Sequence, residues 1–259
     1  LLPGGRLLSM RAGGAVPVDG LDQAVAVAIS ADGASVYVAG ANDDAVAVFG
    51  RDPATGLLGF LGAVRDGSGG VDGIDGASDL ALSPDDAFLY VSGFNDGAVA
   101  VFARDPGDGS LSFVERKGSA STAGLAGASA VALDRAGQHV YVAGALDDAV
   151  VVFARDPATG RLTPLQVVAD GEDGVLGLDG PVALACSPAG GYVYAASQAS
   201  DTIVVLRRDP ATGRLTFVER LRDDERADAL DGVTDLVLSD DGHNLYSAAE
   251  DVAQIDRDC

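Results

Sequence analysis

Apolar residues come along this chain in short bursts rather than in helical stripes: AVAVAI at 24–29, SVYVAG at 35–40, AVAVF at 45–49, and their counterparts further on. Between the bursts stand Asp-Gly, Asn-Asp and Pro-x-Gly groups, as at Asp32-Gly33, Asn95-Asp96 and Pro188-Ala189-Gly190. Pro presets φ and Gly accepts φ > 0, so these groups let the chain reverse tightly. Short apolar runs bounded by such turns predict β-strands. No 3.6-residue periodicity is present, and the gaps leave no room for a crossover helix.

The pattern repeats. Gly76, Gly127, Gly180 and Gly232 open successive copies, with Gln23 in the same place in the first, at steps of 53, 51, 53 and 52 residues. Five of the six tyrosines fall in one column: Tyr37, Tyr90, Tyr141, Tyr194 and Tyr246. Each copy predicts four strands, a to d. Strand c ends in Arg-Asp each time, at Arg51-Asp52, Arg104-Asp105, Arg155-Asp156, Arg208-Asp209 and Arg257-Asp258. Strand d starts at Leu58, Leu111, Leu162, Leu215 and Leu7. The recurring Arg-Asp pair is expected to brace the c–d hairpin.

Strands a and c are apolar at nearly every position, so both faces of each sheet must be covered. Four-stranded antiparallel sheets covered on both faces and repeated about every 52 residues describe the blades of a β-propeller. The expected fold is therefore all-β, a five-bladed β-propeller in one domain, residues 1–259. Its blades run over 23–75, 76–126, 127–179 and 180–231, with the last made of 232–259 plus 1–22. Residues 6–11 are expected to pair with residues 252–257 as strand d of that composite blade, closing the ring and hiding two apolar faces. The rival is an arc cut from a ring of six or seven blades.

Composition sharpens the picture. The chain is 47% hydrophobic but only 5% aromatic, with no Trp, so its core is built from small aliphatic side chains. The formal charge is −22 and Lys117 is the sole lysine. Such a surface repels phosphate backbones and anionic lipid, so nucleic acid is excluded as a partner, and no apolar run is long enough for membrane insertion. The partner is expected to be a protein, a small molecule or a carbohydrate. Of the 39 acids, 34 are Asp, which favours turns and ligates hard cations. Cys186 and Cys259 make neither a disulfide framework nor a zinc site, and a bridge between them is left open. Residue 1 is Leu rather than Met, and the first ten residues lack the features of a signal peptide.

Candidate chemistry is sparse. His139 and His243 fall in or beside a–b turns, where a hydrated turn residue is expected rather than a catalytic base. The glycine clusters do not sit between a strand and a helix, so they are turns rather than phosphate cradles. In a propeller the d–a and b–c loops share one face. The first holds Asp22, Asp75, Asp179 and Asp231, and the second Asp44, Asp148 and Asp201. Asp79 and Asp235 lie early in strand a, nearest the axis. These nine carboxylates form a candidate Ca²⁺ surface, with Asp-capped turns as the alternative. Residues 69–75 loosely resemble a Ca²⁺-binding turn.

The string S-P-D-x-x-x-L-Y-V at residues 83–91, followed by V-x-V-F and D-P-x-T-G-x-L, resembles the lactonase-type propellers. That group includes 6-phosphogluconolactonase-like, carboxymuconate-cyclase-like and YVTN repeat proteins. The resemblance spans essentially the whole chain. It implies seven blades and a set of His, Arg and Glu on one face; five blades are read here, and no such set is matched, so no catalytic residue is carried over. The repeats differ mainly in loop length, which suits a non-catalytic binding or assembly module of a bacterial extracytoplasmic or surface protein. The alternatives are a lactonase-like hydrolase or cyclase, and a Ca²⁺-stabilised adhesion or filament subunit.

Overall fold

The computed structural model describes residues 18–222, 230–249 and 252–256. Its elements are strands throughout, in antiparallel meanders. Sheet one holds β1 (Ala24–Ile29), β2 (Ser35–Gly40), β3 (Ala45–Arg51) and β4 (Leu58–Arg65). Sheet two holds β5 (Ala77–Leu82), β6 (Phe88–Gly93), β7 (Ala98–Arg104) and β8 (Leu111–Gly118). Sheet three holds β9 (Ala128–Leu133), β10 (His139–Gly144), β11 (Ala149–Arg155) and β12 (Leu162–Ala169). Sheet four holds β13 (Pro181–Cys186), β14 (Tyr192–Ser197), β15 (Thr202–Arg208) and β16 (Leu215–Arg222). Sheet five holds β17 (Asp235–Leu238), β18 (Asn244–Ala248) and β19 (Val252–Asp256). The predicted pairing of residues 6–11 with the last strand lies outside the described residues.

The innermost strands β1, β5, β9, β13 and β17 neighbour one another in that order, which is a propeller-like arrangement. Gln23, Gly76, Gly127, Gly180 and Gly232, which open the repeats, all adopt positive φ, from 52° at Gln23 to 64° at Gly76. The chain can thus turn from each outer strand into the next inner one. Gly93 shows a second constraint: a Cβ there would lie 2.5 Å from the Gly73 carbonyl, so the end of β6 touches backbone.

The core lies between sheets. Tyr37, Val46 and Val48 of sheet one pack on Leu80, Leu89, Val91 and Phe102 of sheet two, and the same layer recurs at each later junction. Strands b and c are the buried ones, whereas strand a is only partly covered. This departs from the sequence expectation for strand a, because its inner edge faces a shared central space.

The tyrosine column ties sheet to sheet. The Tyr37 hydroxyl donates to the Gly109 carbonyl (2.8 Å) and accepts from Arg104 Nε (2.8 Å), both in sheet two. Tyr90 donates to Gly160 O (2.9 Å) and accepts from Arg155 Nε (2.8 Å). Tyr141 donates to Gly213 O (3.1 Å) and accepts from Arg208 Nε (2.6 Å). Each arginine also bonds a carbonyl of its own sheet and faces an aspartate of the preceding one, as Arg155 does at Gly137 and Asp85. Burial pushes the Tyr90 hydroxyl up to about 12, although Arg155 pulls the other way. The Arg-Asp repeat is thus divided in function. Asp52, Asp156 and Asp209 brace the c–d hairpin as expected, while the arginines from Arg104 to Arg208 reach back to the previous sheet.

The two ends of the array differ from its interior. Val27 on β1 is 68% exposed, whereas Leu80, its counterpart on β5, is 6% exposed. Tyr246 is 37% exposed, against 0% for Tyr37, Tyr90 and Tyr141. Arg51 keeps the bond to its own sheet, at Gly33 O (3.3 Å). Among the described residues, no hydrogen bond joins Arg51 to Tyr246.

Removing a buried arginine strands a buried hydroxyl and a carboxylate. Arg155→Ala is expected to lower stability by about 2–4 kcal/mol, and the exposed Arg161→Ala by at most about 1 kcal/mol. Guanidinium denaturation of the two variants checks the difference.

Candidate functional site

An open pocket of about 800 Å³ runs along the inner strands and onto the uncovered face of sheet one, where Val36, Val38 and Leu58 line it. Its wall is mostly small and apolar, from Ala24 and Val25 on β1 to Ala183 and Leu184 on β13. The polar lining consists of Ser78, Ser129, Thr234, Asp79 and Asp235. The hydroxyls are already employed in part: Ser78 Oγ lies 2.8 Å from Ala128 O, and Ser129 Oγ donates to Pro181 O at 2.6 Å, each across a sheet junction.

Asp79 is the unusual group. Its Oδ2 accepts the Val131 N–H of sheet three (2.9 Å) and its Oδ1 the N–H of Leu80 (2.8 Å). The carboxyl keeps part of its surface open to the cavity but is packed closely by the inner strands. That burial pushes it up to about 6; the two N–H bonds oppose the shift, and Asp235 adds to it. Asp235 occupies the same column two junctions from β9, is exposed, and accepts the Leu236 N–H (2.8 Å). These two predicted carboxylates therefore share one wall.

The other seven do not converge there. Asp44, Asp148 and Asp201 sit at positive φ, and each accepts the N–H of the glycine opening the next sheet: Gly76 (2.8 Å), Gly180 (2.9 Å) and Gly232 (2.8 Å). Asp75 accepts from Asn95 Nδ2 (2.8 Å), while Asp22, Asp179 and Asp231 are exposed. Slight desolvation and then Asp148 beside it hold the Asp179 carboxyl above its ordinary range. The d–a and b–c loops do share a face, since the Asp22 and Asp75 N–H groups bond the Asp43 and Asp96 carboxylates.

One acidic triad forms that the column reading missed: Asp66, Asp72 and Asp96 each bring an oxygen within 4.8 Å of the others. Only Asp72 lies in the Ca²⁺-like turn. Asp66 accepts from Gly73 and Ile74 N–H, Asp96 from Asp75 N–H, and Arg116 pairs with Asp72 at 2.6 Å. Ca²⁺ wants six to eight oxygens, and these three already cap the loop. The sequence signal available was Asp66 directly after a d strand, a position that Asp170 repeats with a bond from Leu178 N–H.

His139 corrects another expectation. It is buried rather than hydrated, at the first position of β10, with Nδ1 2.8 Å from Asp134 Oδ2. Asp134 also pairs with Arg208, so the imidazole belongs to the junction between sheets three and four. It fills the place that Phe88 takes one sheet earlier, which is why a polar turn signal misled. His243 is exposed, as expected. Among the described residues Cys186 is a free thiol, pushed up to about 12 by burial; Cys259, its possible partner, lies outside the described residues.

Residues 65–176 and 120–229 match the family described as "Lactonase, 7-bladed beta-propeller", together more than half of the chain. A 6-phosphogluconolactonase of Formosa agariphila is 32% identical over 99 residues, covering 37% of this chain and 27% of that protein. The Pseudomonas aeruginosa periplasmic gluconolactonase PpgL superimposes with a TM-score of 0.63 at 27% identity, over 77% of this chain and 54% of that one. A structure described as a putative 6-phosphogluconolactonase from Bacteroides uniformis gives 0.64 at 23% identity, over 77% and 55%. The chain thus spans about half the length of these structural relatives and a smaller share of the curated one. The repeated sheets, their Tyr-column junctions and this match together show that the chain belongs to the lactonase family of seven-bladed β-propellers.

Proposed function

We propose that this chain is a ligand-binding module of the lactonase family, and that its central cavity takes an uncharged, hydroxylated ring such as an unphosphorylated sugar lactone. The observation that carries the reading is the polar part of the cavity wall: serine and threonine hydroxyls, two carboxyls, and no Arg, Lys or His among its described lining residues. A phosphorylated lactone brings close to two negative charges. Beside Asp79 and Asp235, with no cation to receive it, that group is repelled. Ring hydroxyls, by contrast, donate to carboxylates and exchange hydrogen bonds with Ser78, Ser129 and Thr234. The likeness to a periplasmic gluconolactonase supports both the unphosphorylated ligand and an extracytoplasmic setting.

A second reading is ring opening, favoured by Asp79. A carboxyl near 6 is suited to accept a proton from water attacking a lactone carbonyl. Binding stands first because no described lining residue offers a positive charge to the developing oxyanion. The reading also includes closure of the sheets into a five-bladed ring. Sheet five offers Tyr246 and sheet one offers Arg51, the two halves of the bond that joins the first three junctions.

Titration calorimetry with the hydrolysis-resistant gluconolactam should show saturable binding, weakened at least ~10-fold by a 6-phosphate on the ring. Equal or tighter binding of the phosphorylated ring would count against the proposal. If Asp79 is a base, lactone hydrolysis rises with pH through about 6 and is lost in Asp79→Asn. Asp79 also links stability to pH. Its folded value lies above the ordinary 3.8, so the folded state holds the proton longer and stability falls as pH rises from about 4 to 6. The contribution is on the order of 2–3 kcal/mol, and Asp79→Asn should flatten that part of the melting-versus-pH curve. For closure, a double-mutant cycle on Arg51→Ala and Tyr246→Phe should give a coupling of about 1 kcal/mol or more, where additivity speaks for separate ends.

A further inference from the structure

Each four-stranded sheet has a β-bulge in its outer strand, opposite Val48/Phe49, Val101/Phe102, Val152/Phe153 and Val205/Leu206. A bulge re-aims the following side chain. In sheet two that residue is Glu115, whose Oε1 accepts the Leu162 N–H (2.7 Å) of sheet three and whose Oε2 takes Arg161 (3.0 Å). In sheet three it is Gln166, whose amide bonds both sides of one residue of sheet four. Oε1 accepts Leu215 N–H (2.8 Å), and Nε2 donates to Leu215 O (2.9 Å).

In sheet one the same position is Gly62. Gly62 lies at φ 159°, a backbone angle that suits glycine, and a Cβ there would meet nothing within 4 Å, so the place beside it is open. The residue across the junction is Leu111, the first of β8, and no described side chain bonds its N–H or C=O. Two adjoining spaces of about 350 and 660 Å³ lie here and share Ala63, Val64 and Leu111. Val48 and the 59%-exposed Leu61 add apolar wall to the first, and Phe113 to the second.

We infer that this groove between β4 and β8 is a peptide-binding site, and that a glutamine side chain of the peptide supplies the amide that Gly62 lacks. A primary carboxamide places an N–H donor beside a C=O acceptor, at the spacing Gln166 uses on Leu215. A carboxylate has no donor for the Leu111 carbonyl. It would also find Ser110 where Glu115 finds Arg161, and Asp108 on the groove wall, while Arg65 beside the second space is already paired with Asp19 at 2.6 Å. The site therefore selects the neutral amide. Apolar residues beside the glutamine pack on Leu61, Val64 and Phe113. The inference does not depend on the lactone reading, because the groove lies at the outer strands.

The test is a ¹⁵N–¹H titration of the folded chain with acetyl-Ala-Gln-Leu N-methylamide, a cap that adds no second primary amide. Saturable shifts centred on Leu111 are expected, with binding at least ~10-fold weaker when Gln is replaced by Glu. Gly62→Gln should fill the site from within and abolish those shifts. If that variant does not fold, Leu61→Ala serves in its place, and it should weaken the peptide without moving the Leu111 resonance of the free protein. Absence of saturable shifts, equal binding of the Glu peptide, free glutamine binding as tightly as the peptide, or unchanged binding to whichever folded variant is used would overturn the inference.

Discussion

A tyrosine hydroxyl shared between two sheets is the interaction on which the rest of this molecule depends. The chain has few aromatics, and the layer between sheets is filled by Val, Ala and Leu. Dispersion and apolar burial hold such layers together but do not direct them, since they are nearly indifferent to a small slide. The hydroxyl supplies direction. It donates to a hairpin carbonyl and accepts from an arginine, so one position fixes the height and angle of the next sheet. Because the group is buried, leaving either bond unmade is costly, and the junction has one stable register.

That register shapes the centre. The inner strands β1, β5, β9, β13 and β17 follow one another side by side with small residues along them, and the pocket opens beside them. Asp79 resides there at a cost offset by two backbone N–H groups, one of them from the neighbouring sheet. The same carboxyl therefore serves as a brace between sheets two and three and as the most perturbed acid facing the cavity. Structure and chemistry are not separable at this residue.

The predominance of Asp over Glu follows from reach. A carboxylate one methylene from the backbone caps N–H groups two and three residues on, as Asp52 does at Ala54 and Thr55. It also spans the short step from a b–c loop to the next inner strand, as Asp44 does at Gly76. Glu115 and Gln166 appear where the gap between outer strands demands a longer arm. Much of the charge of −22 is thus distributed among turns, rather than gathered as one electrostatic surface.

The strand starts at Ala24, Leu58, Leu111, Leu162 and Leu215 were legible in the chain, because turn chemistry and short apolar runs are local and recur in every copy. The tyrosine column was equally visible, but its partner was not. The arginine that meets Tyr37 is 67 residues away, and pairing across sheets leaves no local trace. For the same reason His139 read as a turn residue although it is buried against Asp134 of the same sheet and Arg208 of the next. Asp79 and Asp235 could be placed near the centre from their offset within strand a. Only packing made Asp79 the perturbed member, since burial depends on what other sheets bring to it. Local order along the chain determined the repeat and its strands; which polar groups became joints, and which were left facing a cavity or a groove, was decided when separate copies met.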